Sequence, residues 1–269
     1  MYRTRFGLTS HPFPQDAQGG KFSPTPSFAK LSRRFQLLLD EPGLGLLTAE
    51  SGLGKTSAIR HLSSLLPRPD HLVIYLCDTA VSPLELYRAL ALEIGLKPAH
   101  RRGALWADLK SALIRKVDEQ GVKPIVIIDE AQHLSDRFLA DLSGFLNFAM
   151  DSRSLLTLWL VGHPSLHATL RFQRHASLAT RIVARVHLEP LSTRADFDAF
   201  IAHGMKAAGA TQTIFTDTAL ELLFRTSRGV PRRIARIVRE ALILAHEEEK
   251  TFVDDAVMEK ILDEQAEAA

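Results

Sequence analysis

The chain has 269 residues, 46% hydrophobic and 24% charged, with a net charge of +2 and one cysteine, Cys77. This length holds one large domain or a core with a satellite and needs no covalent staple, and a lone cysteine excludes an internal disulfide or a thiolate metal cluster. No run approaches the ~20 apolar residues of a membrane helix, and Met1-Tyr2-Arg3-Thr4-Arg5 leads into no apolar signal core, so the sequence reads as soluble and cytoplasmic, with no membrane partner.

The first forty residues are rich in Pro and aromatics, with Phe6-Gly7-Leu8, His11-Pro12-Phe13-Pro14 and Ser23-Pro24-Thr25-Pro26. Such a stretch predicts an extended arm that lays its aromatics on a body, followed by a helix over 27–40. Strand-like runs at 45–48, 71–76, 124–128, 155–161 and 185–188 then alternate with helical segments at 55–66, 83–94, 104–120 and 135–150. Alternation of this kind predicts an α/β core over 41–190, a parallel sheet covered on both faces in a three-layer sandwich. Cys77, after the apolar run 72–76, is expected to be a small buried filler residue. Past Pro190 only helical periodicity remains, at 194–208, 217–227, 231–247 and 253–265, which predicts a small all-helical domain over 191–269. Ser192 and Thr216 are candidate caps there, and Pro231 suits a first helical position. Charge follows the same division. Lys and Arg outnumber Asp and Glu by 23 to 17 over residues 1–190 and trail them by 10 to 14 over residues 191–269. A mildly basic body permits a nucleic-acid partner without demanding one.

Chemistry concentrates at three strand ends. Residues 49–57, Ala49-Glu50-Ser51-Gly52-Leu53-Gly54-Lys55-Thr56-Ser57, leave a strand and open a helix. Gly52 and Gly54 let backbone N–H groups turn toward phosphate oxygens, and the helix N-terminus adds partial positive charge. Lys55 can reach the outer phosphates of ATP, and Thr56 offers a hydroxyl to Mg2+. The pattern departs from the strict P-loop at one position, with Ala49 where the first glycine usually stands. Pro124-Ile125-Val126-Ile127-Ile128 is a buried-strand run ending in Asp129-Glu130, which a doubly wound sheet delivers to its carboxyl edge. Asp129 can hold the metal through water and Glu130 can orient and deprotonate the attacking water. After the next strand, Leu160-Val161-Gly162-His163-Pro164 offers His163 either as a sensor of the γ-phosphate or as an ordinary turn histidine.

Basic residues complete the set. Thr180-Arg181-Ile182-Val183-Ala184-Arg185 precedes the last strand, where a neighbouring subunit could insert Arg181 or Arg185 into the site. Gly229-Val230-Pro231-Arg232-Arg233 opens a helix of the second domain, where Arg232, more than Arg233, could contact the nucleotide. Lys97, Arg101 and Arg102 form a basic interhelical segment that reads equally as a duplex-DNA backbone contact or as a solvated loop.

The order of these motifs resembles that of the AAA+ ATPases, and more narrowly of their ExeA/TniB/TnsC-like group. The resemblance rests on Phe6-Gly7-Leu8-Thr9-Ser10-His11-Pro12-Phe13, Asp129-Glu130-Ala131-Gln132-His133-Leu134 and Leu160-Val161-Gly162-His163-Pro164-Ser165-Leu166. It implies a P-loop core with a helical lid, an arginine finger, and ATP with Mg2+ as ligands. His163 departs from it, because the group more often has Gln there. Secretion-type members carry a membrane span and a cell-wall-binding domain after the ATPase, and this sequence shows neither before Ala269. The resemblance therefore implies a transposition regulator that assembles as an ATP-bound ring or filament on duplex DNA and recruits or activates a transposase. An ATPase serving a secretion or protein-remodelling partner is the alternative. A regulatory signalling module is disfavoured, since no sensor or effector domain is appended.

Overall fold

Two kinds of strand environment explain the sheet. The computed structural model describes residues 2–16 and 19–267. In chain order the elements are α1 (Tyr2–Arg5), α2 (Pro26–Asp40), β1 (Leu44–Thr48), α3 (Lys55–Ser64), β2 (His71–Leu76), α4 (Pro83–Ile94), α5 (Arg102–Asp118) and β3 (Lys123–Ile128). There follow α6 (Asp136–Phe145), β4 (Thr157–Gly162), α7 (Ser165–Leu170), α8 (Ala176–Ala179), β5 (Ile182–His187), α9 (Arg194–Ala207), α10 (Asp217–Ser227), α11 (Pro231–Glu247) and α12 (Asp255–Glu267). The five strands form one parallel sheet in the order β2-β3-β4-β1-β5. β1 and β4 are buried along their whole length and β3 from its second residue, whereas the edge strand β5 alternates buried with exposed. Continuous apolar runs therefore mark strands covered on both faces, and alternation marks an edge.

The chain divides into two compact units. One comprises Lys30–Glu50 and Leu62–Leu188; the other comprises Met1–Ala29, Ser51–His61 and Glu189–Ala269. In the first, the period-2 pleat sends Leu158 and Leu160 of β4 into a core with Tyr87, Leu90, Leu109 and Phe138 from α4, α5 and α6. Trp159 points to the opposite face, fully buried, with Phe35 of α2 stacked on it at a centroid distance of 6.0 Å. In the second unit, Phe197, Leu223, Ile234, Ile237, Leu242 and Val257 join α9–α12 into a separate core. The arm's Tyr2, Phe6 and Leu8 belong to that core, and Phe13 stacks on Phe200 at 4.9 Å.

Several boundaries differ from the sequence-based expectation. The helix expected over 135–150 stops at Phe145, and Ala149, Met150 and Asp151 follow in succession with φ of 47°, 56° and 67°, which no helix accommodates. β5 begins at Ile182 and not at 185, so Arg185 lies inside the strand and not before it. Thr193, and not Ser192, caps α9, its hydroxyl accepting from the Asp196 N–H. The arm contains the helical turn α1, and α7 and α8 lie where no element was expected. Cys77 is exposed and not a buried filler. β2 is an edge strand, and its outward positions Val73 and Tyr75 continue to Cys77.

The Phe35–Trp159 stack predicts that Phe35→Ala destabilises the sheet-bearing unit by about 3–5 kcal/mol, because a buried aromatic leaves a cavity its neighbours only partly fill. Urea denaturation followed by tryptophan fluorescence measures this directly.

Candidate functional site

Parallel pairing brings the strand ends to one edge. Leu76 pairs with Ile128, Ile128 with Leu160, and Thr48 with both Gly162 and His187. The residues that follow the strands, Ala49, Asp129 and His163, therefore leave β1, β3 and β4 at one edge, Ala49 level with His163 and Asp129 level with Val161. The Ala49 N–H extends the ladder by donating to the Gly162 carbonyl at 3.2 Å. Ala49 is fully buried and is not among the residues of positive φ, so nothing at this position requires a glycine.

Asp129 is 2% exposed. Its Oδ1 accepts from the Glu130 N–H at 2.8 Å, and its Oδ2 accepts from the Tyr75 hydroxyl at 2.9 Å. A buried carboxylate needs such donors, since desolvation without them is costly. Burial, then the Asp129 charge and this hydrogen bond, push the Tyr75 pKa upward, so the phenol keeps the proton it donates. Glu130 follows in the left-handed region, at φ 50° and ψ 36°. Its carbonyl accepts from Thr79 Oγ1 at 2.9 Å and from the His133 N–H at 3.0 Å. These bonds over-determine a backbone conformation that a non-glycine residue rarely adopts. The Glu130 side chain is exposed, and its Oε2 accepts from Gln132 Nε2 at 2.6 Å.

His163 is engaged at three atoms. Its N–H donates to Gln132 Oε1 at 2.9 Å, its Nδ1 lies 3.0 Å from Ser165 Oγ, and its Nε2 lies 3.0 Å from Glu50 Oε2. The side chain expected to sense a phosphate is thus hydrogen-bonded to the residue that opens the glycine loop.

In the other unit, the loop enters α3 with Gly52 and Gly54 at φ +85° and +84° and with Leu53 buried. Lys55, Thr56 and Ser57 form the first turn of α3. A loop in which alternate residues are left-handed, running into a helix N-terminus, turns backbone N–H groups toward an anion. The start of α11 seats on this loop. Pro231 occupies its first turn, the Arg232 N–H donates to the Gly52 carbonyl at 3.1 Å, and Arg232 Nη1 donates to Ser51 Oγ at 3.2 Å. A Cβ at Gly52 would meet Val230 Cγ1 at 3.1 Å and Arg232 Cβ at 3.2 Å. Arg233, the next residue, is exposed.

The remaining arginines are less alike than their spacing suggested. Arg181 makes a two-pronged ion pair with Asp151, at 2.5 and 2.9 Å. Arg185 donates to the Ala179 carbonyl at 2.8 Å, closing the end of α8. Arg102 pairs with Asp141 at 2.8 Å and lies over the Trp106 ring at 4.5 Å, whereas Lys97 and Arg101 are exposed. Sequence reasoning assigned no role to Tyr75, Thr79, Gln132, Glu50 or Asp151. Gln132 alone carried a signal, two residues past the acid pair at the end of β3. Among the described residues no group of His, Cys, Asp and Glu has the arrangement of a metal cluster, and no helix is long and apolar enough to cross a membrane.

Residues 38–170 match the family model of the AAA domain. The chain is 35% identical over 255 residues to the general secretion pathway protein A of Aeromonas hydrophila, over 91% of this chain and 45% of that protein. It is 27% identical over 221 residues to the ATP-dependent target DNA activator B of Escherichia phage Mu, over 80% of this chain and 64% of that protein. The chain therefore spans about half the length of the first relative and under two thirds of the second. The Aeropyrum pernix ORC2 protein, solved in ADPNP–ADP complexes, shares the fold with a TM-score of 0.69 at 15% identity, over 96% of this chain and 72% of that one.

Gly52→Ala combines a strained φ with a clash against Val230 and Arg232. It is expected to weaken ATP binding by about 10-fold or more, since ~1–3 kcal/mol of strain disfavours the loop conformation seen here. Titration with a fluorescent ATP analogue checks this.

Proposed function

We propose that this chain, whose residues 38–170 match the family model of the AAA domain, is an ATP-switched factor that assembles on duplex DNA and recruits or activates a transposase. The observation that carries the ATPase part is the shared sheet edge. There β1 runs into the Gly-Lys-Thr loop, while β3 ends in a buried Asp129 and an exposed Glu130. The residue types suit ATP and Mg2+: two left-handed glycines before a helix N-terminus match a polyphosphate, and a hydroxyl such as that of Thr56 and a carboxylate such as that of Asp129 are each hard oxygen donors. The DNA part is supported by the likeness to the phage Mu target DNA activator.

In this reading the loop N–H groups and Lys55 hold the phosphates, with Gly52, Leu53, Gly54 and Ser57 shaping the cradle. Thr56 and Asp129 would hold the metal, which when bound withdraws charge from the phosphate oxygens. Glu130 accepts a proton from water as the water oxygen bonds to the γ-phosphorus and the bond from that phosphorus to the ADP oxygen breaks, the electron pair leaving with ADP. His163 responds to the γ-phosphate. Arg232 links the nucleotide to α11, and Arg181 serves a neighbouring subunit of a ring or filament once it leaves Asp151. Lys97 and Arg101 contact DNA phosphates, with Arg102 committed to Asp141 and Trp106. Hydrolysis then resets the assembly. A secretion or protein-remodelling ATPase is the second reading, favoured by the 35% identity to the Aeromonas protein.

Lys55→Ala is expected to abolish nucleotide binding. Glu130→Gln keeps binding and lowers kcat by about 100-fold or more; loss of binding in Glu130→Gln contradicts the assignment of a base. With ATP and Mg2+, the chain forms large oligomers on duplex DNA, visible by electron microscopy, and DNA stimulates hydrolysis. Protein that stays monomeric and ignores DNA at low salt removes this reading in favour of the second. Joint replacement of Lys97 and Arg101 by Ala lowers the salt dependence of DNA binding, reducing the slope of log K against log salt by about 2.

A further inference from the structure

We infer that Gln132 is a positioning residue for ATP hydrolysis, whose side-chain amide holds the Glu130 carboxylate in one orientation and couples it to the turn between β4 and α7. This rests on the reading of Glu130 as the base. Both ends of the amide are used: Nε2 donates to Glu130 Oε2 at 2.6 Å and Oε1 accepts from the His163 N–H at 2.9 Å. The partners dictate which way the amide points. Reversal would set NH2 against an N–H and oxygen against a carboxylate, two repulsions in place of two bonds. The seat is also sterically closed. A Cβ at Gly162 would meet Gln132 Oε1 at 2.6 Å, with the Gln132 and Ala131 backbone nitrogens at 3.2 and 3.3 Å, so a side chain at Gly162 would push the amide from its place.

The role follows from what is left free. Asp129, Thr79 and His133 already fix the backbone of Glu130 on both sides. Its remaining freedom is rotation of an exposed side chain, and the Gln132 amide stops that rotation. The other end of the same amide is anchored to the residue whose ring meets Glu50 at 3.0 Å. A shift of the His163 turn therefore reaches the carboxylate through one rigid planar group, without contact between His163 and Glu130.

The test uses the full chain and measures steady-state ATP hydrolysis, binding of a slowly hydrolysed ATP analogue and thermal unfolding. Gln132→Glu retains an oxygen for the His163 N–H and so preserves the turn, but faces Glu130 with like charge in place of a donor. Gln132→Ala removes both bonds, and Gly162→Ala displaces the amide while leaving both acids intact. All three are expected to lower kcat by about 10- to 100-fold, as small misplacements of reacting groups do, with analogue binding within about 2-fold of the unmodified protein. Gln132→Glu should also unfold at an unchanged temperature. If Gln132→Glu hydrolyses ATP normally while Gln132→Ala is slow, Gln132 is only a prop for the turn and the inference falls. If both Gln132 variants are normal while Glu130→Gln is stalled, the inference falls and the base assignment stands. If Glu130→Gln itself hydrolyses ATP normally, the base assignment fails and the inference with it. Should Gly162→Ala not fold, the two Gln132 variants decide the question.

Discussion

Parallel pairing of β3 with β2 and β4 is the constraint on which the rest of the site depends. Strands that run the same way and end in register deliver their next residues to one edge. A shift of β3 by a single residue would turn Asp129 from its buried position toward the other face of the sheet, because side chains alternate along a strand. The apolar run Ile125–Ile128 prevents that shift. Each of its four residues is buried, on alternate faces, and the first polar group to follow is held where the strand leaves the core.

That position carries an electrostatic demand. A carboxylate 2% exposed is stable only with donors on its oxygens, and these come from its own chain neighbour and from Tyr75 on the adjacent strand. Tyr75 meets the demand because β2 is an edge strand whose outward side chains reach past the sheet's end. Glu130 is treated differently. It is pinned through its backbone in a left-handed conformation while its carboxylate stays exposed. Adjacent acids thus have opposite environments, one enclosed and hydrogen-bonded, one open and oriented. That contrast suits a metal-holding group beside a proton acceptor.

In the second unit the dependence runs through the backbone of the glycine loop. The Gly52 carbonyl accepts from the Arg232 N–H, and α11 begins at that contact because Pro231 presets the first helical turn. The loop is thereby hydrogen-bonded to α11, whose apolar stripe of Ile234, Ile237, Val238, Ala241 and Leu242 is built into the helical core. Arg181 shows the opposite economy, an arginine satisfied within its own chain by Asp151. Exchange of that partner is how a surface arginine could become available to another molecule.

Local pattern alone specified the five strands, most of the helices, and the acids at the end of β3, because each is a short-range property: apolar runs mark buried strands, glycines before Gly-Lys-Thr mark the turn, and Pro231 marks a helix start. Where local cues competed, boundaries moved. Residues 146–150 continue an apolar pattern, yet the helix stops at Phe145 and the left-handed residues 149–151 bar its resumption, and Ile182–Ala184 joins the sheet because pairing with β1 outweighs its arginine-flanked sequence. Partners across the sheet were beyond reach of the sequence. Tyr75 is 54 positions from Asp129 and Gln132 is 31 from His163, and only strand register makes them neighbours. The same holds for Arg232, whose spacing announced a helix start while its contact with Ser51, 181 positions away, arose from packing. Sequence determined which chemical groups stand at the ends of the strands. Tertiary structure decided which of them touch, because hydrogen bonds between distant residues exist only once the backbone has fixed their separation.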